Sequence, residues 1–272
     1  MSDLSVRLSC LLYTLQGKSI QENKYVDIFL IWLTYVCKYA ELRPIDCLQI
    51  VIDENTCDTF LQKNQMLKIL LRKFQCEVVF VKVPQPKTHG EGMLNKYFYV
   101  NSPQDLFMYC DIDVVFKKPI HNLLKFVEND TIVAHIEGLL SDTIYGAAFS
   151  KETLDSKGAN YPGFSAGKFI LCGQELYKQF FETISLLRTR YNADSFYCLD
   201  QPLYNLAIHE IQKNRQLAIE IGIFKHPIIC TNFIGELPSE TVLVDYMGEP
   251  GNANLHFEKL MTILIHDFLE HA

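Results

Sequence analysis

The sequence predicts an α/β protein: a mostly parallel central sheet flanked by helices, in a single continuous domain. Three observations point there. Short, nearly continuous apolar runs alternate with helix-period segments from the N-terminus to Asp111, the pattern of parallel strands buried on both faces. No internal repeat, low-complexity tract or Pro/Gly/Ser linker divides the chain. With 272 residues, 49% of them apolar and 21% charged, the chain is large enough to close one substantial core.

Taken in order, Val6–Thr14 reads as the opening strand and Lys24–Ala40 as a helix. Cys47–Asp53 is a strand, Thr56–Phe74 a helix with Thr56 as its cap, and Glu77–Val83 a strand. Pro84–Gly92 is a loop by its proline and glycine content, and Met93–Tyr99 is a short helical segment. Leu106–Cys110 is a strand that runs into Asp111-Ile112-Asp113. Beyond it the pattern is less regular. Strands are expected at Ile132–Ile136, Ala147–Ser150 and Lys168–Cys172, and helices at Gln174–Arg190 and Gln201–Ile211. The last helix, Glu258–Glu270, carries Leu260, Ile263, Leu264 and Phe268 at the spacing of a docking stripe.

Composition narrows the function. A net charge of −7, without a dense Lys/Arg run, argues against a nucleic-acid partner. The longest apolar run, Ile28 to Ala40, is broken by Thr34 and Lys38 and falls short of a transmembrane segment. The N-terminus lacks the basic region and cleavage site of a secretion signal. The nine cysteines are odd in number, form no Cys-x-x-Cys and often sit in apolar runs, as expected of small buried hydrophobes in a reducing compartment. A cytoplasmic location is therefore expected.

The most informative stretch is Leu106 to Pro119. Two carboxylates, Asp111 and Asp113, follow a buried strand directly. At strand spacing they would share one side, at the carboxyl end where open α/β sheets bind ligands. Like charges so close are costly without a cation, and oxygen ligands suit manganese or magnesium. An isolated Asp after a strand more often caps a turn, so the placement carries the argument. No Gly-x-Gly-x-x-Gly follows the first strand, which counts against a dinucleotide enzyme.

Tyr109-Cys110-Asp111-Ile112-Asp113-Val114-Val115 resembles the Asp-x-Asp signature of glycosyltransferases with the GT-A fold, whose sheet is Rossmann-like. It is most similar to the glycogenin and bacterial lipopolysaccharide galactosyltransferase group. Further segments fall in that family's order. Leu12-Tyr13-Thr14-Leu15 matches the nucleotide pocket after the first strand, and Lys96 a basic residue near the donor. Gly163-Phe164-Ser165-Ala166-Gly167 resembles the segment beside the donor sugar, with Ser165 in place of Asn. Leu199-Asp200-Gln201-Pro202-Leu203-Tyr204-Asn205 resembles an Asp-Gln-x-x-x-Asn segment. Asn254-Leu255-His256-Phe257 resembles the strand carrying the third metal ligand, although the family's following Gly is missing and Lys259 lies closer than usual.

The resemblance implies a hexosyltransferase using a nucleotide-sugar donor, a UDP-sugar by family habit, with a carbohydrate or other hydroxyl acceptor. It implies Asp113 and His256 as ligands of manganese or magnesium, with Asp111 sharing the metal or holding the ribose. Tyr13, Thr14, Leu15, Lys96, Ile112, Ala166, Gly167, Gln201 and Lys259 would line the donor, with Lys225 an alternative phosphate cation. Asp200 would stand nearest the anomeric carbon. Residues 1–115 would form the nucleotide-binding half and 116–272 the acceptor side. Retention is implied. An inverting enzyme with a carboxylate base, or a non-catalytic nucleotide-sugar binder of the same fold, are the alternatives.

Overall fold

The structure is a computed structural model that describes residues 4–98, 100–124, 127–214, 218–232, 235–246 and 253–270. The chain opens with strand β1 (Val6–Leu12), then helix α1 (Lys24–Tyr35), whose helical path continues as a π-helix over Val36–Ala40. Strand β2 (Cys47–Asp53) leads to helices α2 (Glu54–Lys63) and α3 (Gln65–Leu71), strand β3 (Glu77–Val83) and helix α4 (His89–Leu94). A 3-10 turn over Asn95–Tyr97 precedes β4 (Leu106–Cys110), β5 (Val114–Phe116) and the short α5 (His121–Leu124). Then come β6 (Thr131–Leu139), α6 (Thr143–Gly146), α7 (Lys151–Lys157), β7 (Pro162–Cys172), α8 (Gln174–Leu187) and α9 (Gln201–Asn214). Strands β8 (Ala218–Glu220), β9 (Ile229–Thr231) and β10 (Leu243–Asp245) and helix α10 (Ala253–Glu270) complete it.

Seven strands form the central sheet in the order β3-β2-β1-β4-β7-β6-β8. All neighbours pair in parallel except β7, which runs antiparallel to both β4 and β6. Every residue of β1, β2 and β4 is buried, which explains why these strands read as unbroken apolar runs. Alternate residues feed two cores. Leu8, Met108 and Cys110 pack with Phe29, Trp32 and Leu260 on one face, whereas Phe107, Tyr109 and Phe169 pack with Phe180, Tyr204 and Leu203 on the other. A small sheet, β5-β10-β9, lies beside the first face.

Several expectations are corrected. Thr56 is not a cap: the Asp53 side chain accepts the Thr56 N–H and begins α2 two residues earlier. The single helix expected over Thr56–Phe74 is two, because Asn64 is extended and its side chain caps α3. Ala147–Ser150 is no strand; Ala147 ends α6 and Ser150 caps α7 through its hydroxyl. The strand expected at Lys168–Cys172 begins earlier, at Pro162, so Gly163–Gly167 forms the first half of β7, and α4 begins inside the expected loop, where Thr88 caps it. Asn254–Phe257 lies in α10 rather than in a strand; its apolar residues recur every third or fourth position, with Leu260 and Ile263 buried in the core. Tyr99 falls outside the described residues, as does the side chain of Phe268.

Candidate active site

Asp111-Ile112-Asp113 follows the carboxyl end of β4, but not as strand. A bond from Val114 N–H to Asp111 O (3.0 Å) closes a turn between β4 and β5. The two carboxylates therefore do not share a pleat. Asp111 belongs to the side of Tyr109, whose hydroxyl donates to Asp111 Oδ1 at 2.5 Å. Asp113 feels Asp245 most strongly among its charged neighbours; its own carbonyl accepts from Tyr246 N–H (3.0 Å), which anchors the turn to β10.

Lys96 organises the first side. Its ammonium, fully buried, lies 3.1 Å from Asp200 Oδ2 and 3.7 Å from Asp111 Oδ1. It also donates to Ala166 O at 3.3 Å and stands over the Tyr109 ring at 4.8 Å. Burial disfavours the charge, but Asp111 and Asp200 more than offset it, so Lys96 holds its proton more firmly than usual. Asp200 also accepts from Tyr97 O–H at 2.7 Å. Its carboxylate thus faces the site, where a simple helix cap would have turned to the first N–H groups of α9.

The two segments around 163–167 and 199–205 meet. Gln201 Oε1 accepts from Ala166 N–H (3.1 Å), and Asn205 bonds both Phe164 N–H and Phe164 O, at 2.9 and 2.8 Å. These bonds fix the start of α9 against β7. Asp111 N–H donates to Gly167 O at 2.7 Å. A Cβ on Gly167 would lie 2.8 Å from Asp111 Oδ2, so glycine is needed for that close approach.

The other expected donor residues vary in placement. Tyr13 O–H and His89 Nδ1 are 3.0 Å apart, and Asp111 and Asp200 are among the charges that raise the Tyr13 pKa after burial. Thr14 is committed to the fold: its N–H reaches Asp53 Oδ2 (2.9 Å), and its hydroxyl meets Asn23 Nδ2 (2.8 Å) and Thr56 (2.9 Å). Leu15 is half-buried and its carbonyl accepts from Lys18 N–H. Ile112 is core. His256 is buried, and among the described residues neither ring nitrogen has a hydrogen-bond partner; its ring meets Tyr25 edge-on at 6.3 Å. Burial and then Lys259 push its pKa down, against the pull of Asp245. Lys225 is exposed.

Asp245, Lys168 and Glu137 were not foreseen. Asp245 ends β10 directly opposite Val114. Lys168, opposite Cys110 on β7, contacts the Asp245 carboxylate and lies 3.3 Å from Glu137 Oε1. The signal was present: Val242-Leu243-Val244-Asp245 repeats the apolar-run-then-Asp pattern of Leu106–Asp111, and Lys168 interrupts an apolar strand. Burial pushes the Glu137 pKa up, but hydrogen bonding to His135, the Lys168 charge and a bond with Ser165 hold it down at about 2.

The charges do not balance. Lys96 pairs with Asp111 and Asp200, and Lys168 pairs with Asp245 and Glu137. Among the described residues, Asp113 has no cation within ion-pair distance. Burial first, then Asp245 and Asp111, raise its pKa well above the usual carboxylate range. This surplus of carboxylate oxygens suits a divalent cation in its chemistry. Among the described residues no three His, Cys, Asp or Glu side chains are already grouped closely enough to hold one.

The chain has the GT-A glycosyltransferase fold. It is similar to the apo structure of the bifunctional glycosyltransferase WbbM, with a TM-score of 0.60 and 12% identity. That match covers 96% of this chain and 50% of the other, so the chain spans about half the length of WbbM. Apo mouse xyloside xylosyltransferase 1 matches with a TM-score of 0.49 and 12% identity, covering 92% and 98% of the two chains. No protein-family profile and no curated protein sequence matches the chain. Among the described residues no helix is long and apolar enough to cross a membrane.

Proposed function

We propose that the protein is a metal-dependent glycosyltransferase that moves a hexosyl group from a nucleoside-diphosphate sugar, UDP-linked, to a hydroxyl acceptor with retention of configuration. The observation that carries this reading is the joining of Asp111 and Asp200 through the buried ammonium of Lys96 at the end of β4. Asp113 and Asp245 stand beside them with a deficit of positive charge. The GT-A fold supports the reaction class by analogy.

Asp113, with Asp111, Asp245 or His256, would hold Mn2+ or Mg2+; when bound, the ion neutralises the diphosphate leaving group. Tyr13 and Leu15 would line the nucleotide. Lys96 pairs with the Asp200 carboxylate and fixes its position, and Tyr97 orients the same carboxylate. Asp200 would face the anomeric centre and stabilise positive charge there. Gly167 gives Asp111 room, and the Gln201–Ala166 bond holds the backbone beside the donor sugar. Lys259 would approach the phosphates from α10. Glu137, with its pKa held at about 2, is a poor general base near neutral pH.

All nine cysteines are unpaired, in keeping with a cytoplasmic site of action. The test is transfer from UDP-hexoses with manganese, in the parent and in Asp113→Asn. Near-normal turnover in the variant removes the metal assignment; an inverted product anomer, read by NMR, removes retention.

A further inference from the structure

The segment 88–97 is gripped at both ends by one loop. At its far end Lys96 and Tyr97 hold Asp200. At its start the Asp194 carboxylate accepts from the Thr88 hydroxyl at 2.5 Å and from the Gly90 N–H at 2.8 Å. Glycine is needed for that approach, because a Cβ on Gly90 would lie 2.7 Å from both Cγ and N of Asp194. The same short helix, α4, carries the contacts of Tyr13: the ring fills the space a Cβ on Gly92 would take, and the hydroxyl stands 3.0 Å from His89 Nδ1. Between Asp194 and Asp200 the loop is wound into successive turns, with Phe196 N–H to Ala193 O (3.1 Å), Leu199 N–H to Phe196 O (3.2 Å) and Gln201 N–H to Cys198 O (3.0 Å). A shift at Asp194 is therefore passed on to Asp200 rather than absorbed by slack chain. Asp194 itself is exposed, so it adds nothing to the core.

We propose that Asp194 is a positioning residue for Asp200: by clamping the start of α4 it sets where the turn of Lys96 and Tyr97 meets the Asp200 carboxylate, and so aligns that carboxylate with a donor held at Tyr13. The proposal rests on the transferase reading above, in which Asp200 faces the anomeric centre. Misplacing a reacting group by about 1 Å can cost roughly 100-fold in rate. A contact that only strengthened the surface would move Tm and leave the turnover of the folded enzyme as it was.

The experiment measures Tm, kcat and donor KM with UDP-hexoses and manganese. The full chain is compared with Asp194→Ala, Asp194→Asn, Gly90→Ala, Asp200→Asn and the double variant of Asp194→Ala with Asp200→Asn. Asp194→Ala should lower kcat about 10- to 100-fold while donor KM stays within about twofold. Gly90→Ala removes no hydrogen-bonding group and favours the helix, yet it should lower kcat in the same way by pushing Asp194 off α4. Asp194→Asn keeps an acceptor for the Gly90 N–H and should recover most of the lost rate. In the Asp200→Asn background Asp194→Ala should add little, because the group it positions has lost its charge. Should Asp194→Ala not fold, Gly90→Ala carries the same comparison. An unchanged kcat in the folded variants, or an equal loss with and without the Asp200 carboxylate, overturns the proposal. If the parent transfers no sugar, the transferase reading fails and the positioning role with it, a different result from an active parent whose variants match it.

Discussion

Lys96 Nζ stands 3.1 Å from Asp200 Oδ2, with the two side chains only 1% and 4% exposed. One residue comes from the turn before β4 and the other from the start of α9, so this pair ties the two halves of the site together. Removing one partner of a buried pair leaves the other charge uncompensated. Lys96→Met should cost about 3–5 kcal/mol of stability, read as a lower urea midpoint. Asp200→Asn keeps the shape and the Tyr97 bond but loses the charge. It should lower kcat about 100-fold or more while the donor KM changes little; an equal rise in KM would make Asp200 a binding group only.

Asp113→Asn should stabilise the ligand-free protein. The folded-state pKa of Asp113 lies well above its ordinary 3.8, so the folded protein holds that proton more tightly than the unfolded chain. The stability this gives is full below the ordinary range and is lost as pH rises through the folded value. Near neutral pH the amide should raise Tm by about 2–4 °C, the shift that 1 kcal/mol gives in a chain of this size. The gain should shrink toward acid pH, and a scan of Tm against pH checks it.

Gly167→Ala probes the close approach to Asp111. A methyl group 2.8 Å from Asp111 Oδ2 must displace that carboxylate, which the Lys96 and Tyr109 contacts resist. Donor binding should weaken by about 1–2 kcal/mol, as for loss of one well-placed polar contact, with circular dichroism unchanged. Calorimetric titration with UDP and manganese measures it.

Glu137 predicts an acid-side loss. Its folded pKa of about 2 lies below the ordinary 4.5, so its contribution is present above 4.5 and disappears as pH falls toward 2. In Glu137→Gln, denaturant midpoints should fall less steeply over that window than in the parent.

Much of this architecture was legible in the residues, for a physical reason. Strands β1, β2, β3 and β4 were placed within two residues of their observed ends because three of them are buried throughout and must be apolar. The segments around Ala166 and Asp200 were also singled out, and the Gln201 and Asn205 amides join them. The failures came where a single side chain overrides periodicity: Asn64 breaks a helix that its neighbours would have continued, and Ser150 caps a helix where Ala147–Ser150 suggests a strand. Asp111 and Asp113 were read as strand-spaced, but the turn at Ile112 sends them to different partners. Lys168 and Asp245 were missed because each is a lone charge whose meaning depends on the other, 77 positions away.

Metal-assisted binding of a nucleotide sugar at Asp111, Asp113 and Asp200 is tested by a thermal-shift and hydrolysis screen of nucleotide sugars, with manganese and with chelator. One UDP-sugar should raise Tm and be slowly hydrolysed only when metal is present, and Asp113→Asn should lose both effects. If no nucleotide sugar changes Tm or is consumed with manganese present, the protein is not a nucleotide-sugar transferase.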